Sequence, residues 1–191
     1  FNSNELDILE KKTRKLIDKY PKTSVLYNIL GVVLQKKNNF DKAILNLKKA
    51  INLQPNFDQA HNNLGNILKN TGKFEEAVNC YREALKINPN YAEAYSNLGN
   101  ALTEVGKIEE AIANHQKALK LNPEYKIANV NESIARLTLG EFEIGWKKYE
   151  ARIGENNITP MRYPIEKIWD GNYLNGILLV WGEQGLGDHI I

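Results

Sequence analysis

Five asparagines recur along the chain at a spacing that suits hydrogen-bonding chemistry. Asn63, Asn97 and Asn131 lie 34 residues apart, and Asn66 and Asn100 follow the first two of them by three residues. Each side-chain amide offers both N–H donors and a carbonyl acceptor, so it matches a peptide group. A regular ladder of such amides can hydrogen-bond the backbone of an extended segment without reading its sequence. These five residues are our predicted peptide-binding residues.

The cysteine and the histidines are weaker indications of catalytic or metal-binding chemistry. Cys80 is the single cysteine, which excludes an internal disulfide or a Cys-based metal site and is compatible with a reducing compartment. We interpret it as a packing or surface residue rather than a nucleophile. His61 and His115 have no second histidine or carboxylate at convincing ligand spacing, so we interpret them as fillers between helices. The sequence predicts no metal and no cofactor for residues 1–191.

Composition narrows the classes of partner. The net charge is +2, with lysines and glutamates interleaved, so no basic patch indicates a nucleic-acid partner. No apolar run approaches the ~20 residues that a membrane-spanning helix needs. The start, FNSNELDILEKK, lacks the layout of a signal peptide. We therefore expect a cytoplasmic, mostly helical chain.

The asparagines belong to a repeat of 34 residues. Residues 58–91 and 92–125 match each other at about half of their positions, which is the self-similarity of a stacked repeat architecture. Residues 24–57 follow the same pattern less strictly. Pro21, Pro55, Pro89 and Pro123 share the 34-residue spacing and follow apolar helical stretches, where proline stops a helix. We predict helix-turn-helix units at 24–57, 58–91 and 92–125, after a partial unit at 1–23.

Small and large residues alternate within each unit. Gly31, Gly65 and Gly99 occupy one phase of the predicted first helices. Glycine inside a helix costs about 1 kcal/mol relative to alanine, so its recurrence indicates a close approach between paired helices. A last, degenerate unit at 126–153 replaces the marker residues Tyr, Leu, Gly and Leu by Asn129, Glu132, Ser133 and Arg136. Such degeneracy is typical of a cap or a junction.

These markers resemble the tetratricopeptide repeat, over roughly residues 1–153. The resemblance implies an all-α, right-handed solenoid whose first helices line a concave, protein-binding surface. The stretch AEAYSNLGN is also similar to the repeats of O-GlcNAc transferase, and this resemblance implies a superhelix that holds protein substrates with an asparagine ladder. The family's clamp for carboxyl-terminal peptides needs Lys and Arg, whereas Ile127 and Asn131 stand at its last positions here, so we do not expect that mode. The asparagines could instead satisfy polar contacts between repeats, and Asn28 and Asn62 are expected to extend the polar face.

The chain changes character after Gly154. Residues 154–175 lose the 34-residue spacing and are predicted to be a linker. Residues 176–191 begin with the apolar run GILLVW and continue with GEQGLGDHII, which is typical of a strand, a glycine-rich turn and a helix start. The order of features resembles bacterial proteins in which such repeats precede a GT-B glycosyltransferase domain of the heptosyltransferase type. That resemblance implies that Asp188 is the general base of a longer parent protein with a nucleotide-sugar donor; alternatively, Asp188 begins or caps a helix.

Two functions follow from these observations. The favoured one is a non-catalytic scaffold that binds a protein or peptide, because residues 176–191 are too few to form a transferase. The alternative is a structural spacer or self-association module without a peptide ligand. We also expect the apolar run Gly176 to Trp181 to dock on the last repeat or to pair with a second chain, which would give a homo-oligomer.

Overall fold

The computed structural model describes the backbone of residues 3–150, and this range is helical throughout, with short turns and no strand. Its helices are α1 (Ser3–Lys19), α2 (Ser24–Lys36), α3 (Phe40–Leu53), α4 (Asp58–Asn70), α5 (Phe74–Ile87), α6 (Ala92–Glu104), α7 (Ile108–Leu121), α8 (Lys126–Thr138) and α9 (Phe142–Glu150). The predicted linker, the Rossmann-like segment and Asp188 lie outside the described residues.

The helices stack as a chain of pairs. The most extensive contacts are α2 with α3, α4 with α5, α6 with α7 and α8 with α9. Each second helix also packs on the first helix of the next pair, and α1 packs on α2 in the same way. Because each helix contacts its near neighbours along the chain, the core is linear rather than round. The predicted all-helical solenoid is confirmed over these residues.

Glycine allows the two helices of a pair to approach each other. A Cβ placed on Gly65 would lie 2.6 Å from Cε1 of Tyr81, and one placed on Gly99 would lie 2.5 Å from Cε1 of His115. Gly31 faces Leu47 in the same manner. These distances are shorter than a carbon contact permits, so the predicted packing role of the repeated glycine is confirmed.

The stack curves toward its first helices. Helix α2 contacts α4, α4 contacts α6 and α6 contacts α8, whereas within residues 3–150 no Cα atoms of α3 and α5, or of α5 and α7, come within 8 Å of each other. The gap between α3 and α5 is an open groove of about 340 Å³ floored by α4. A layer whose members touch is shorter than one whose members are separated, so the first helices line the concave side.

The degenerate last pair holds charge where the other pairs hold leucine. Glu132 is fully buried, and its carboxylate accepts hydrogen bonds from Arg136 Nε at 2.8 Å and from Gln116 Nε2 at 3.2 Å. Lys148 Nζ lies 2.9 Å from its other oxygen, and Arg136 also pairs with Glu141. Burial pushes the pKa of Glu132 upward, but the bonds from Lys148 and Arg136 outweigh burial and hold the pKa below 4.5. Glu132 and Arg136 thus belong to a network of ion pairs and one amide hydrogen bond that joins α7, α8 and α9.

Candidate binding face

One stripe of each first helix consists of half-buried and exposed residues. On α4 it comprises Gln59, Asn63, Asn66 and Asn70, at spacings of four, three and four residues, which is one face of a helix. The equivalent stripes of α2, α6 and α8 complete what we call the inner face. Its two central rows are Ile29, Asn63, Asn97, Asn131 and Val32, Asn66, Asn100, Ile134. The fold therefore brings all five predicted asparagines together on the concave side.

Two of the ladder asparagines are held by the preceding repeat. Asn63 donates from Nδ2 to Oδ1 of Asn28 at 2.9 Å, and Asn97 donates to Oδ1 of Asn62 at 3.1 Å. Asn28 and Asn62 are 8% and 0% exposed. The expectation that these two extend the polar surface was wrong. They lie between neighbouring first helices, where their side-chain carbonyl oxygens hold the amides of Asn63 and Asn97 in place. The sequence offered a signal in their 34-residue spacing.

The third rung of the ladder is incomplete. The residue equivalent to Asn28 and Asn62 is Ser96, which is 1% exposed, and within residues 3–150 neither Ser96 Oγ nor Asn131 Nδ2 makes a hydrogen bond of ordinary geometry. The Ser96 hydroxyl lies beside the Tyr125 hydroxyl. Burial and Glu93 raise the pKa of Tyr125, and Ser96 opposes this rise. The serine oxygen is one bond closer to Cβ than the asparagine oxygen, so serine cannot bridge to the next repeat.

Completing this rung is expected to stabilise the fold. We expect Ser96→Asn to raise the free energy of unfolding by about 1 kcal/mol, because its Oδ1 can accept from Asn131 as Asn62 accepts from Asn97. Urea unfolding followed by circular dichroism measures the change. Ser96→Ala is the control and should be nearly neutral, since the serine hydroxyl bridges no repeats. Destabilisation by the asparagine would show that the site has no room for the longer side chain.

The second central row differs between repeats. Asn66 accepts a hydrogen bond from the Tyr81 hydroxyl at 2.8 Å. In the next repeat His115 stands in place of the tyrosine, and the Asn100 side chain has no hydrogen-bond partner among the described residues. His115 is 0% exposed, and burial lowers its pKa to about 4 although Glu132 opposes this. The ring is therefore neutral at pH 7, as a filler between helices should be.

The ladder amides keep hydrogen-bonding capacity. A side-chain amide has two N–H donors and an oxygen with two lone pairs. Asn63 and Asn97 each use one N–H on the neighbouring repeat, and their oxygens accept no bond within residues 3–150. A bond to the next repeat and a bond to a ligand are therefore compatible, and the first pre-orients the amide for the second.

Cys80 and His61 lie within the described residues, and neither is arranged as a nucleophile or a metal ligand would be. The Cys80 thiol is partly buried, and burial raises its pKa to about 11, so it is protonated at pH 7. Nε2 of His61 lies 3.0 Å from the carbonyl oxygen of Pro55. Over the range that the structure describes, no three His, Cys, Asp or Glu residues cluster as metal ligands would. Nor does any helix of that range have the length and apolar character to cross a membrane.

Comparisons with known proteins agree with this geometry. A crystal structure of MamA superposes with a TM-score of 0.70 at 22% identity, covering 77% of this chain and 86% of that one. The 41-end form of MamA from Desulfovibrio magneticus RS-1 gives 0.70 at 18% identity, with coverages of 76% and 82%. The first TPR of Spaghetti (RPAP3), solved with the HSP90 peptide SRMEEVD, gives 0.61 at 24% identity, with coverages of 62% and 94%.

Sequence comparison with family models identifies the type of repeat. Curated protein sequences give no match. The TPR repeat family matches residues 31–72 and 65–106, and the tetratricopeptide repeat family matches residues 92–125. These matches, the paired helices and the glycine contacts agree on one repeat type, so residues 31–125 are tetratricopeptide repeats within a helical solenoid.

Proposed function

We propose that the chain is a non-catalytic scaffold that binds an extended protein segment on its inner face. The observation that carries this proposal is the set of pre-oriented amides: Asn63 and Asn97 are tied to the preceding repeat and keep free carbonyl oxygens. Asn66, Asn100 and Asn131 lie beside them on the same concave surface. An extended backbone crossing the first helices would meet donors and acceptors from successive repeats.

Alanine substitution tests the ladder. Peptides selected from a random 12-residue phage library against residues 1–191 provide the probe, and fluorescence anisotropy measures their affinity. Asn63→Ala, Asn97→Ala and Asn131→Ala should each weaken binding about five-fold, the equivalent of one hydrogen bond of about 1 kcal/mol. Unchanged affinity in the triple variant would reject the ladder.

Asn100 separates binding from stability. Asn100→Ala should weaken peptide binding, because it removes an amide from the inner face. It should leave the urea midpoint unchanged, because the Asn100 side chain has no hydrogen-bond partner among the described residues. The matched control is Asn79→Ala, which removes an exposed amide from α5 in the outer layer. Equal effects of the two substitutions on affinity would place the ligand elsewhere.

The alternative is a structural spacer or self-association module. It is favoured by exposed apolar side chains at both ends of the described stack, such as Leu16 on α1 and Phe142 on α9, which are 45% and 46% exposed. Light scattering across a concentration series would detect such association. A repeat-mediated dimer combined with failure to select any peptide would favour this function over the first.

We further propose a cytoplasmic location and a place beside a glycosyltransferase-like domain. Support comes from the lone cysteine and from the resemblance of residues 176–191 to the start of a heptosyltransferase-type domain. The test is a longer reading frame containing this chain, assayed for transfer from a nucleotide sugar. Asp188→Asn should abolish transfer if Asp188 is the base, and full activity of that variant would remove it from the mechanism.

A further inference from the structure

We propose that the inner face selects an extended segment with an uncharged centre and apolar side chains at its two ends, about eight residues apart. The inference rests on the proposed function and adds the chemistry of the ligand. It is carried by the change of residue type along the four stripes of the inner face.

Apolar side chains mark both ends of the inner face. At the α2 end, Val25 and Ile29 are 46% and 37% exposed, and at the α8 end, Ile127 and Ile134 are 62% and 37% exposed. Between them, α4 and α6 present Asn63, Asn66, Asn97 and Asn100 on the two central rows. Large apolar residues grouped in the open on a concave surface are typical of a binding site. The face therefore has two apolar ends and an amide centre.

The centre of the inner face is neutral. The eight residues of the two central rows carry no charge, although 25% of the chain is Asp, Glu, Lys or Arg. On the four stripes, charge is confined to Glu93, in the row before the central ones, and to Lys36 and Glu104, in the row after them. A charged ligand would lose its hydration at the centre without gaining a partner of opposite charge. Charge complementarity thus favours an uncharged segment.

The spacing of the helices sets the length of the ligand. Successive first helices are in contact, and packed helices lie about 8–10 Å apart, so α2 and α8 are separated by roughly 24–30 Å. An extended chain advances about 3.3 Å per residue, so about seven to nine residues span this distance. One apolar side chain would contact Val25 and Ile29, and another would contact Ile127 and Ile134.

Synthetic peptides test this inference on residues 1–191. The probe is a fluorescein-labelled decapeptide with leucines at its second and tenth positions, separated by seven Ser, Thr and Gln residues. Its affinity should be at least about ten-fold higher than that of the same peptide with both leucines replaced by serine, as expected for two partly buried leucines. With leucines at its second and fifth positions, the peptide can reach only one apolar end of the inner face. It should therefore lose the share of the affinity that the other end provides. The acidic peptide SRMEEVD should bind more weakly than the decapeptide.

Substitutions at the two ends complete the test. Ile29→Ser and Ile127→Ser should each weaken the decapeptide by about three-fold, the share of one end, and leave the serine peptide unaffected. Leu45→Ser, at a residue 67% exposed on α3, is the matched control and should change neither affinity nor folding. Circular dichroism verifies that each variant is folded.

The outcomes distinguish the two proposals. If Asn100→Ala weakens the peptides while the end variants and the leucine spacing have no effect, the selectivity proposed here is wrong and the scaffold function stands. If no peptide binds, both are wrong. If the end variants instead abolish a dimer seen by light scattering, the occupant of the face is a second copy of the chain, which also overturns the inference.

Discussion

Glu132→Ala is expected to lower the free energy of unfolding by about 3 kcal/mol, at the lower end of the cost of breaking a buried ion pair. The carboxylate is fully buried and holds Arg136, Lys148 and Gln116. Its loss leaves these groups without their shared acceptor, but Arg136 keeps Glu141 and the Lys148 side chain is 30% exposed, so both cations retain some stabilisation. Urea unfolding at pH 7 measures the change.

The double variant Glu132→Leu with Arg136→Leu provides the control. Leucine stands at these two positions in the preceding repeats, as Leu98 and Leu102, so the pair of changes removes both charges and restores apolar packing. Well-packed apolar residues replace a buried ion pair at little or no cost, so the double variant should be at least as stable as Glu132→Leu alone or Arg136→Leu alone. If the double variant is the least stable of the three, the ion pairs are stabilising in themselves.

The network also bears on binding, because α8 supplies one end of the inner face. Ile127 and Ile134 lie on the same helix as Glu132 and Arg136, and Lys148 joins that helix to α9. Loosening the last pair should therefore weaken any ligand that reaches this end, without a substitution on the face itself. The affinity of the decapeptide for Glu132→Ala would report this coupling.

Lowering the pH from 6.5 to 4 is expected to cost about 3 kcal/mol of stability through His115 alone, at about 1.4 kcal/mol per pKa unit. Burial lowers the folded-state pKa of His115 from 6.5 to about 4. Well above pH 6.5 the ring is neutral in both states and has no effect on stability. Between these values the unfolded chain binds a proton that the folded chain does not, so stability falls as the pH falls.

His115→Tyr isolates this contribution. Tyr81 fills the equivalent place beside Gly65, and its hydroxyl bonds to Asn66, so a tyrosine at 115 can bond to Asn100. The variant should match or exceed the parent at pH 7 and lose less stability by pH 4.5, as measured by urea titrations at several pH values. The Glu132 carboxylate also contributes to the free energy of unfolding in both proteins. Because its folded-state pKa is lowered, that contribution is lost only as the pH falls below 4.5. Parallel pH profiles of the two proteins would contradict the assignment to His115.

The repeat architecture and the location of the candidate site were predictable from the sequence. The spacing of the prolines and glycines follows from local rules, since proline stops a helix and a repeated glycine marks a close contact. The same spacing placed Asn63 and Asn97 on equivalent helices, and every copy of a repeat presents a given position on the same side. The sequence also identified the last repeat as irregular, from its charged marker positions.

The roles of the polar residues were decided by tertiary structure. Whether Asn62 faces solvent or a neighbouring repeat depends on how closely two first helices pack. The spacing of residues along one helix does not give that distance. The same holds for Glu132, whose three partners come from α7, α8 and α9. The apolar ends of the inner face became visible only once curvature placed α2 and α8 on one concave surface. By itself the sequence determined the repeat and its asparagine ladder, because these depend on local periodicity; packing between repeats decided which amides, charges and apolar side chains are buried and which are open to a ligand.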